Sequence, residues 1–88
     1  MTNPTAYNIG GTMRLEAVLA RVLDAPVDSF AEDSSPDNTF NWTSLRNVML
    51  LIEIENEFGI RFSNAEMSTM RTLGDIRAVL AKKGVAVG

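Results

Sequence analysis

The chain has 88 residues, a formal net charge of −3, and neither cysteine nor histidine. This length predicts one small domain of marginal stability. The absence of cysteine and histidine excludes disulfides and Ser-His or Cys-His nucleophile pairs. Zinc normally takes cysteine or histidine ligands, and nucleic acids require clustered basic residues, so we expect neither as a partner.

The chain begins with a polar segment, residues 1–11, which ends in two glycines and is expected to form a flexible tail. It has neither the positive n-region nor the apolar h-region of a secretory signal. No apolar run in the sequence approaches the length of a membrane span. We therefore expect a soluble cytoplasmic protein that does not insert into membranes, with a folded domain at 12–84 and a short tail at 85–88.

The first helix is predicted to begin after Thr12, which can act as its N-cap. Its apolar side chains recur at helical spacing, and Pro26 ends it because the residue before proline avoids the helical region. The apolar positions are Leu15, Val18, Leu19 and Val22. Residues 25–41 then predict a long loop rich in turn formers, with Val27, Phe30 and Phe40 as apolar anchors. A loop of this length in so small a domain favours a functional explanation.

Thr43 or Ser44 can cap the second helix, which is predicted to run to about Phe58, where Gly59 suits a left-handed C-cap. Its pattern contains two apolar stripes on opposite sides. One stripe consists of Leu45, Val48, Met49 and Ile52, and the other of Leu50, Leu51, Ile54 and Phe58. Either the helix is buried on both sides, or one stripe is an exposed binding surface.

Two further helices complete the predicted fold. Ser63 and Glu66 form a capping-box pattern that opens a short helix, which continues to about Met70. Thr72 and Asp75 give a similar, weaker pattern before a last helix with Leu73, Ile76, Val79 and Leu80 on its apolar side. The predicted architecture is all-α: a small four-helix bundle with three longer helices, one short helix and a long loop between the first two.

Ser44 has two interpretations. Serine at a helix start is most often a simple cap. A helix N-terminus also offers free N–H groups and a positive dipole end, so a phosphate joined to Ser44 would be well placed.

These residues resemble the acyl carrier protein family. The family signature is Asp-Ser-Leu at the start of the second helix, which closes in Glu-Glu-Glu-Phe followed by Gly or Asp, and Thr-Val-Gly-Asp at the start of the last helix. The corresponding segments here are Thr43-Ser44-Leu45, Glu55-Asn56-Glu57-Phe58-Gly59 and, at the last helix, Thr72-Leu73-Gly74-Asp75-Ile76. The resemblance extends from about Thr12 to Lys83, and residues 40–62 carry its most specific part.

The resemblance implies a carrier and not an enzyme, without catalytic residues or a metal of its own. A phosphopantetheinyl transferase (holo-carrier synthase), which holds Mg²⁺, would attach 4′-phosphopantetheine to Ser44, with Thr43, Leu45 and Trp42 beside the attachment point. The thiol that this chain lacks would arrive with that arm. The other implied partners are enzymes that load and transfer acyl groups in bacterial fatty-acid or related lipid biosynthesis, and the carrier is expected to be a monomer.

The resemblance also assigns the two stripes. The implied docking residues are Leu45, Arg46, Val48, Met49, Ile52 and Glu55. The implied core residues, which would enclose an acyl chain, are Phe40, Leu50, Leu51, Ile54, Phe58 and Phe62.

The chain departs from the family pattern around the serine. Thr43 replaces the family aspartate, and Asn41 replaces a glycine, although asparagine tolerates a left-handed conformation. Trp42 occupies a usually small position, either as a packing residue or as an apolar shelf beside the arm. Arg46 and Met49 replace acids that meet basic partner surfaces, which predicts a specialised carrier.

Three other interpretations remain open. The cargo could be an amino acid, a peptide or a polyketide, although the Gly-Gly typical of peptidyl carriers is absent before Ser44. The chain could instead be an unmodified helical interaction module in which Ser44 is only a cap. Glu53 and Glu57 could pair as acid and base on one helix face, but a solvated acidic edge explains them better.

Overall fold

A computed structural model describes residues 14–85, which form four α-helices without a β-strand in this range. The helices are α1 (Arg14–Leu23), α2 (Ser44–Phe58), α3 (Asn64–Thr69) and α4 (Leu73–Lys82), and a 3₁₀ turn (Val27–Ser29) lies in the α1–α2 loop. The predicted all-α architecture is confirmed. The predicted tail at 1–11, the Thr12 cap and residues 86–88 of the predicted C-terminal tail lie outside the described residues. None of the helices between residues 14 and 85 has the length and apolar character needed to cross a membrane.

The core is built from one face of each longer helix. The predicted stripe of α1 is buried, and α4 buries its own predicted stripe against the same cluster. The buried members are Leu15, Val18, Leu19, Val22 and Leu23 of α1, Leu50, Leu51 and Ile54 of α2, and Leu73, Ile76, Val79 and Leu80 of α4. Burial of each such side chain contributes roughly 1.5–3 kcal/mol relative to exposure, before the entropy of ordering is subtracted.

The helix ends follow the capping residues that the sequence contains. Gly59 ends α2 in a left-handed conformation (φ 66°), and its N–H donates to the Glu55 carbonyl. Both predicted capping boxes are present, one from Ser63 and Glu66 and one from Thr72 and Asp75. Hydrogen bonds from the Arg71 and Thr72 amides lower the pKa of the Asp75 carboxyl.

The α1–α2 loop is attached to the start of α4. The Leu73 amide donates to the Ser34 carbonyl (2.9 Å), and the Gly74 amide donates to the Glu32 carbonyl (2.9 Å). These amides belong to the first turn of α4, and the amides of a first turn find no acceptor within their own helix. A Cβ on Gly74 would lie 3.1 Å from the Glu32 carbonyl oxygen, so glycine permits the loop to approach this closely.

A charge cluster adds a second attachment for the loop. Arg77 of α4 binds Glu32 of the loop (Nη2 to Oε2, 2.8 Å) and also Glu16 of α1. These hydrogen bonds, chiefly the one with Glu32, raise the pKa of Arg77. One guanidinium therefore connects α1, the loop and α4.

The prediction that Phe40 anchors the loop in the core is wrong. Its side chain is 88% exposed, whereas that of Trp42 is 3% exposed. The chain turns between them, because the Trp42 amide donates to the Thr39 carbonyl and Asn41 is left-handed. The turn places Trp42 in the core and leaves Phe40 outside it, while Phe30 packs partly buried against the core.

Asn41 connects this turn to α1. Its φ of 70° confirms the left-handed conformation expected of a residue that replaces glycine. Its side-chain Nδ2 donates to the Leu23 carbonyl at 3.0 Å, and Leu23 is the last residue of α1. Asparagine therefore supplies both the backbone conformation and a donor for the end of α1.

Substitutions of Asn41 separate these two contributions. Asn41→Ala loses the hydrogen bond and strains a left-handed backbone, so we expect it to lower the free energy of unfolding by about 1–3 kcal/mol. Asn41→Gly loses the hydrogen bond alone and should cost less. Urea unfolding measures both values, and equal losses would contradict a contribution from the backbone conformation.

The Asp75 cap predicts a pH dependence of stability. Because folding lowers the pKa of Asp75, its stabilisation is complete above the unfolded pKa of about 3.9 and is lost as pH falls through the lower folded pKa. We expect Asp75→Asn to be less stable than the wild type at neutral pH, with the difference shrinking in acid. Urea midpoints of both proteins between about pH 7 and pH 2 provide the measurement, and a difference independent of pH would contradict the prediction.

Candidate prosthetic-group and docking site

Ser44 is the first residue of α2, and its side chain is exposed. Thr43 is the N-cap, whose Oγ1 accepts the Arg46 amide at 3.2 Å. The first backbone hydrogen bond of the helix runs from the Asn47 amide to the Thr43 carbonyl. The amides of Ser44 and Leu45 precede that bond, at the positive end of the helix dipole, so an anion joined to Ser44 would be stabilised there.

Thr43 stands where the family signature has an aspartate, and it caps the helix. Its hydroxyl satisfies one amide of the first turn without adding a negative charge next to Ser44. The missing aspartate therefore leaves the helix start intact, and what changes is the charge beside the serine.

Arg46 binds within the molecule. Its Nη1 donates to the Val22 carbonyl at 2.9 Å, and its side chain is half-buried. The last carbonyls of a helix need donors, and a positive charge there also suits the helix dipole. Arg46 is an implied docking residue, and this contact could not be predicted, because helical spacing within α2 does not show that the end of α1 lies beside it.

Trp42 packs in the core and fixes the helix start. Its indole Nε1 donates to Asn47 Oδ1 at 2.9 Å, and only 3% of its surface is exposed. This burial favours the packing interpretation. The alternative of an exposed apolar shelf beside a prosthetic arm is wrong, because almost none of the indole is accessible.

The first stripe of α2 is exposed. The exposed fractions are 71% for Leu45, 56% for Val48, 47% for Met49 and 50% for Ile52. The opposite stripe is the buried one, with Phe58 partly buried at its end and Phe62 buried after it. The alternative that α2 is buried on both sides is therefore wrong, and the exposed stripe begins one residue after Ser44.

An apolar groove of about 330 Å³ lies beside this stripe. It is lined by Val48, Leu51, Ile52, Glu55, Arg61, Phe62 and Met67. The Glu55 carboxylate accepts the Phe62 amide at 2.8 Å and so holds the link before α3 against α2. The groove thus joins residues of both stripes, and its volume is at the lower end of the range for small-molecule sites.

Arg61 and Met67 were not predicted as groove residues. Arg61 lies in the link before α3, where helical periodicity does not apply. A helix as short as α3 has too few turns for periodicity to show which side faces a neighbour. Glu55, an implied docking residue, lines the groove and also forms a hydrogen bond inside the molecule.

Comparison with known proteins gives one near full-length match. The chain is 27% identical to Acyl carrier protein 3 of Ralstonia nicotianae over 88 residues, which cover 96% of this chain and 95% of that protein. No family model matches the chain.

The similarity to a known carrier protein and the helix arrangement of this chain agree with each other. The similarity spans all four helices, and the structure has the helix order and long first loop that the resemblance implied. The predicted resemblance to acyl carrier proteins is confirmed by this similarity over nearly the whole chain, at 27% identity.

Proposed function

We propose that this protein is an acyl carrier, which holds acyl groups as thioesters on a 4′-phosphopantetheine arm attached to Ser44. It presents them to partner enzymes in bacterial fatty-acid or related lipid biosynthesis, as a cytoplasmic monomer and not as an enzyme. The observation that carries the proposal is an exposed serine at the start of α2, followed by an exposed apolar stripe, in a relative of acyl carrier proteins.

The residues around Ser44 suit the attached group. A phosphopantetheinyl transferase would join the arm to the Ser44 hydroxyl, which is accessible at the molecular surface. The early amides of α2 would stabilise the phosphate. The arm supplies the thiol that forms the thioester, and this chain has no cysteine to supply one.

The groove and the exposed stripe suit the cargo and its partners. The groove beside Leu51 and Phe62 offers apolar walls to the first part of an acyl chain. The stripe from Leu45 to Ile52 is accessible to a docked enzyme. An aminoacyl, peptidyl or polyketide cargo would use the same serine, and the thioester found on protein isolated from its source identifies the cargo.

The modification itself can be tested directly. After incubation with coenzyme A, Mg²⁺ and a broad-specificity phosphopantetheinyl transferase, we expect the intact mass to increase by one phosphopantetheine. Ser44→Ala should abolish this increase. Ser63→Ala removes another serine that caps a helix and should leave it unchanged. An unmodified wild-type protein would instead support the helical interaction module.

We also propose a specialised carrier rather than the housekeeping one. Thr43, Arg46 and Met49 replace the acids that ordinary carriers show at the start of this helix, and Arg46 is held by α1. General fatty-acid synthase enzymes should therefore load and elongate the phosphopantetheinylated protein at least about tenfold less efficiently than an ordinary acidic carrier. Equal efficiency of the two carriers, each confirmed by mass to carry the arm, would contradict specialisation.

A further inference from the structure

We infer that enzymes dock on α2 through an apolar surface of their own and not through a basic one. The inference rests on the proposed carrier function and specifies the chemistry of its partners. The middle of the exposed face of α2 contains Leu45, Met49, Ile52 and Asn56 and no charged residue. These four side chains lie within roughly 40° of one line along the helix, so they form a continuous strip.

The charged side chains of α2 point to partners inside the molecule. The helix has four, and each has an intramolecular contact. Arg46 donates to the Val22 carbonyl, and Glu55 accepts the Phe62 amide.

The two remaining acids form ion pairs with α1. Glu53 binds Arg21 at 3.2 Å, and Glu57 lies 3.6 Å from Arg14. Such exposed pairs contribute little to stability, but each places a positive charge beside a negative one at the edge of the strip. A basic enzyme surface would have to compete with Arg14 and Arg21 for these carboxylates, and Arg46 would add repulsion.

An apolar partner avoids this competition. Burial of the strip would be driven by the hydrophobic effect, which salt does not screen, so association would depend little on ionic strength. Met49 on α2 and Met67 beside the groove are both exposed, and methionine adapts to partner surfaces of different shape. The surface therefore fits enzymes with apolar docking sites.

The test measures docking separately from modification. The probes are two phosphopantetheinyl transferases, one with an apolar carrier-binding surface and one with a basic surface, each titrated against full-length Ser44→Ala protein by calorimetry. We expect the apolar probe to bind more tightly than the basic probe. Its Kd should change less than about threefold between about 0.05 M and 0.5 M NaCl.

Variants of the strip decide the mechanism. Met49→Glu, combined with Ser44→Ala, should weaken binding of the apolar probe at least about tenfold, because it buries an unpaired charge. Met49→Gln retains the side-chain length without a charge and should weaken it less. Ala78→Glu adds the same charge at an exposed position of α4 and should have no effect. Thermal unfolding checks that all variants are folded.

Several results would overturn the inference. One is tighter binding of the basic probe than of the apolar probe. Others are absence of binding to the apolar probe, or a tenfold loss of affinity for it in high salt. The last is an affinity of Met49→Glu for the apolar probe equal to that of the Ala78→Glu control. If the wild-type protein sediments as a dimer and Met49→Glu dissociates it, the strip binds a second copy of this chain, and the inference is overturned. The proposed function fails separately, if neither transferase adds a mass to Ser44 of the wild-type protein.

Discussion

The position of the candidate site depends on the hydrogen bonds that the last carbonyl groups of α1 accept. A helix terminates in carbonyl groups that have no donor within the helix. Here the Leu23 carbonyl accepts the Asn41 side chain, and the Val22 carbonyl accepts the Arg46 side chain. The two donors flank Ser44 in sequence, one before the helix and one in its first turn. The start of α2 is thereby fixed against α1, and the position of Ser44 follows from that contact.

This attachment also determines which stripe of α2 is exposed. Once the helix start is held against α1, the side with Leu50 and Ile54 faces the core, and the side with Leu45 and Ile52 faces outward. The ion pairs of Glu53 and Glu57 with α1 lie along one edge between the two sides. Apolar burial and peripheral charge therefore specify the same rotation of the helix about its axis.

The long loop is attached to the start of α4. Its carbonyls satisfy the first amides of α4, and Arg77 binds Glu32 from the same helix. Gly74 allows this approach because it has no Cβ to meet the Glu32 carbonyl. In the family signature this position is also glycine, and the contact gives a physical reason for a small residue there. The loop thus supplies acceptors to the N-terminus of α4, whereas Asn41 and Arg46 supply donors to the C-terminus of α1.

The amino-acid sequence by itself determined the elements and their ends. Periodic apolar residues predicted the helices, and the caps at Ser63, Thr72 and Gly59 formed as expected because a cap depends on neighbours a few residues away. The serine at the start of α2 and the two stripes were also apparent from local spacing. Only the tertiary structure decided that Phe40 is exposed and that Arg46 binds α1, and only it showed which stripe remains accessible. Burial depends on what other elements cover, and that information lies in contacts between residues distant in sequence.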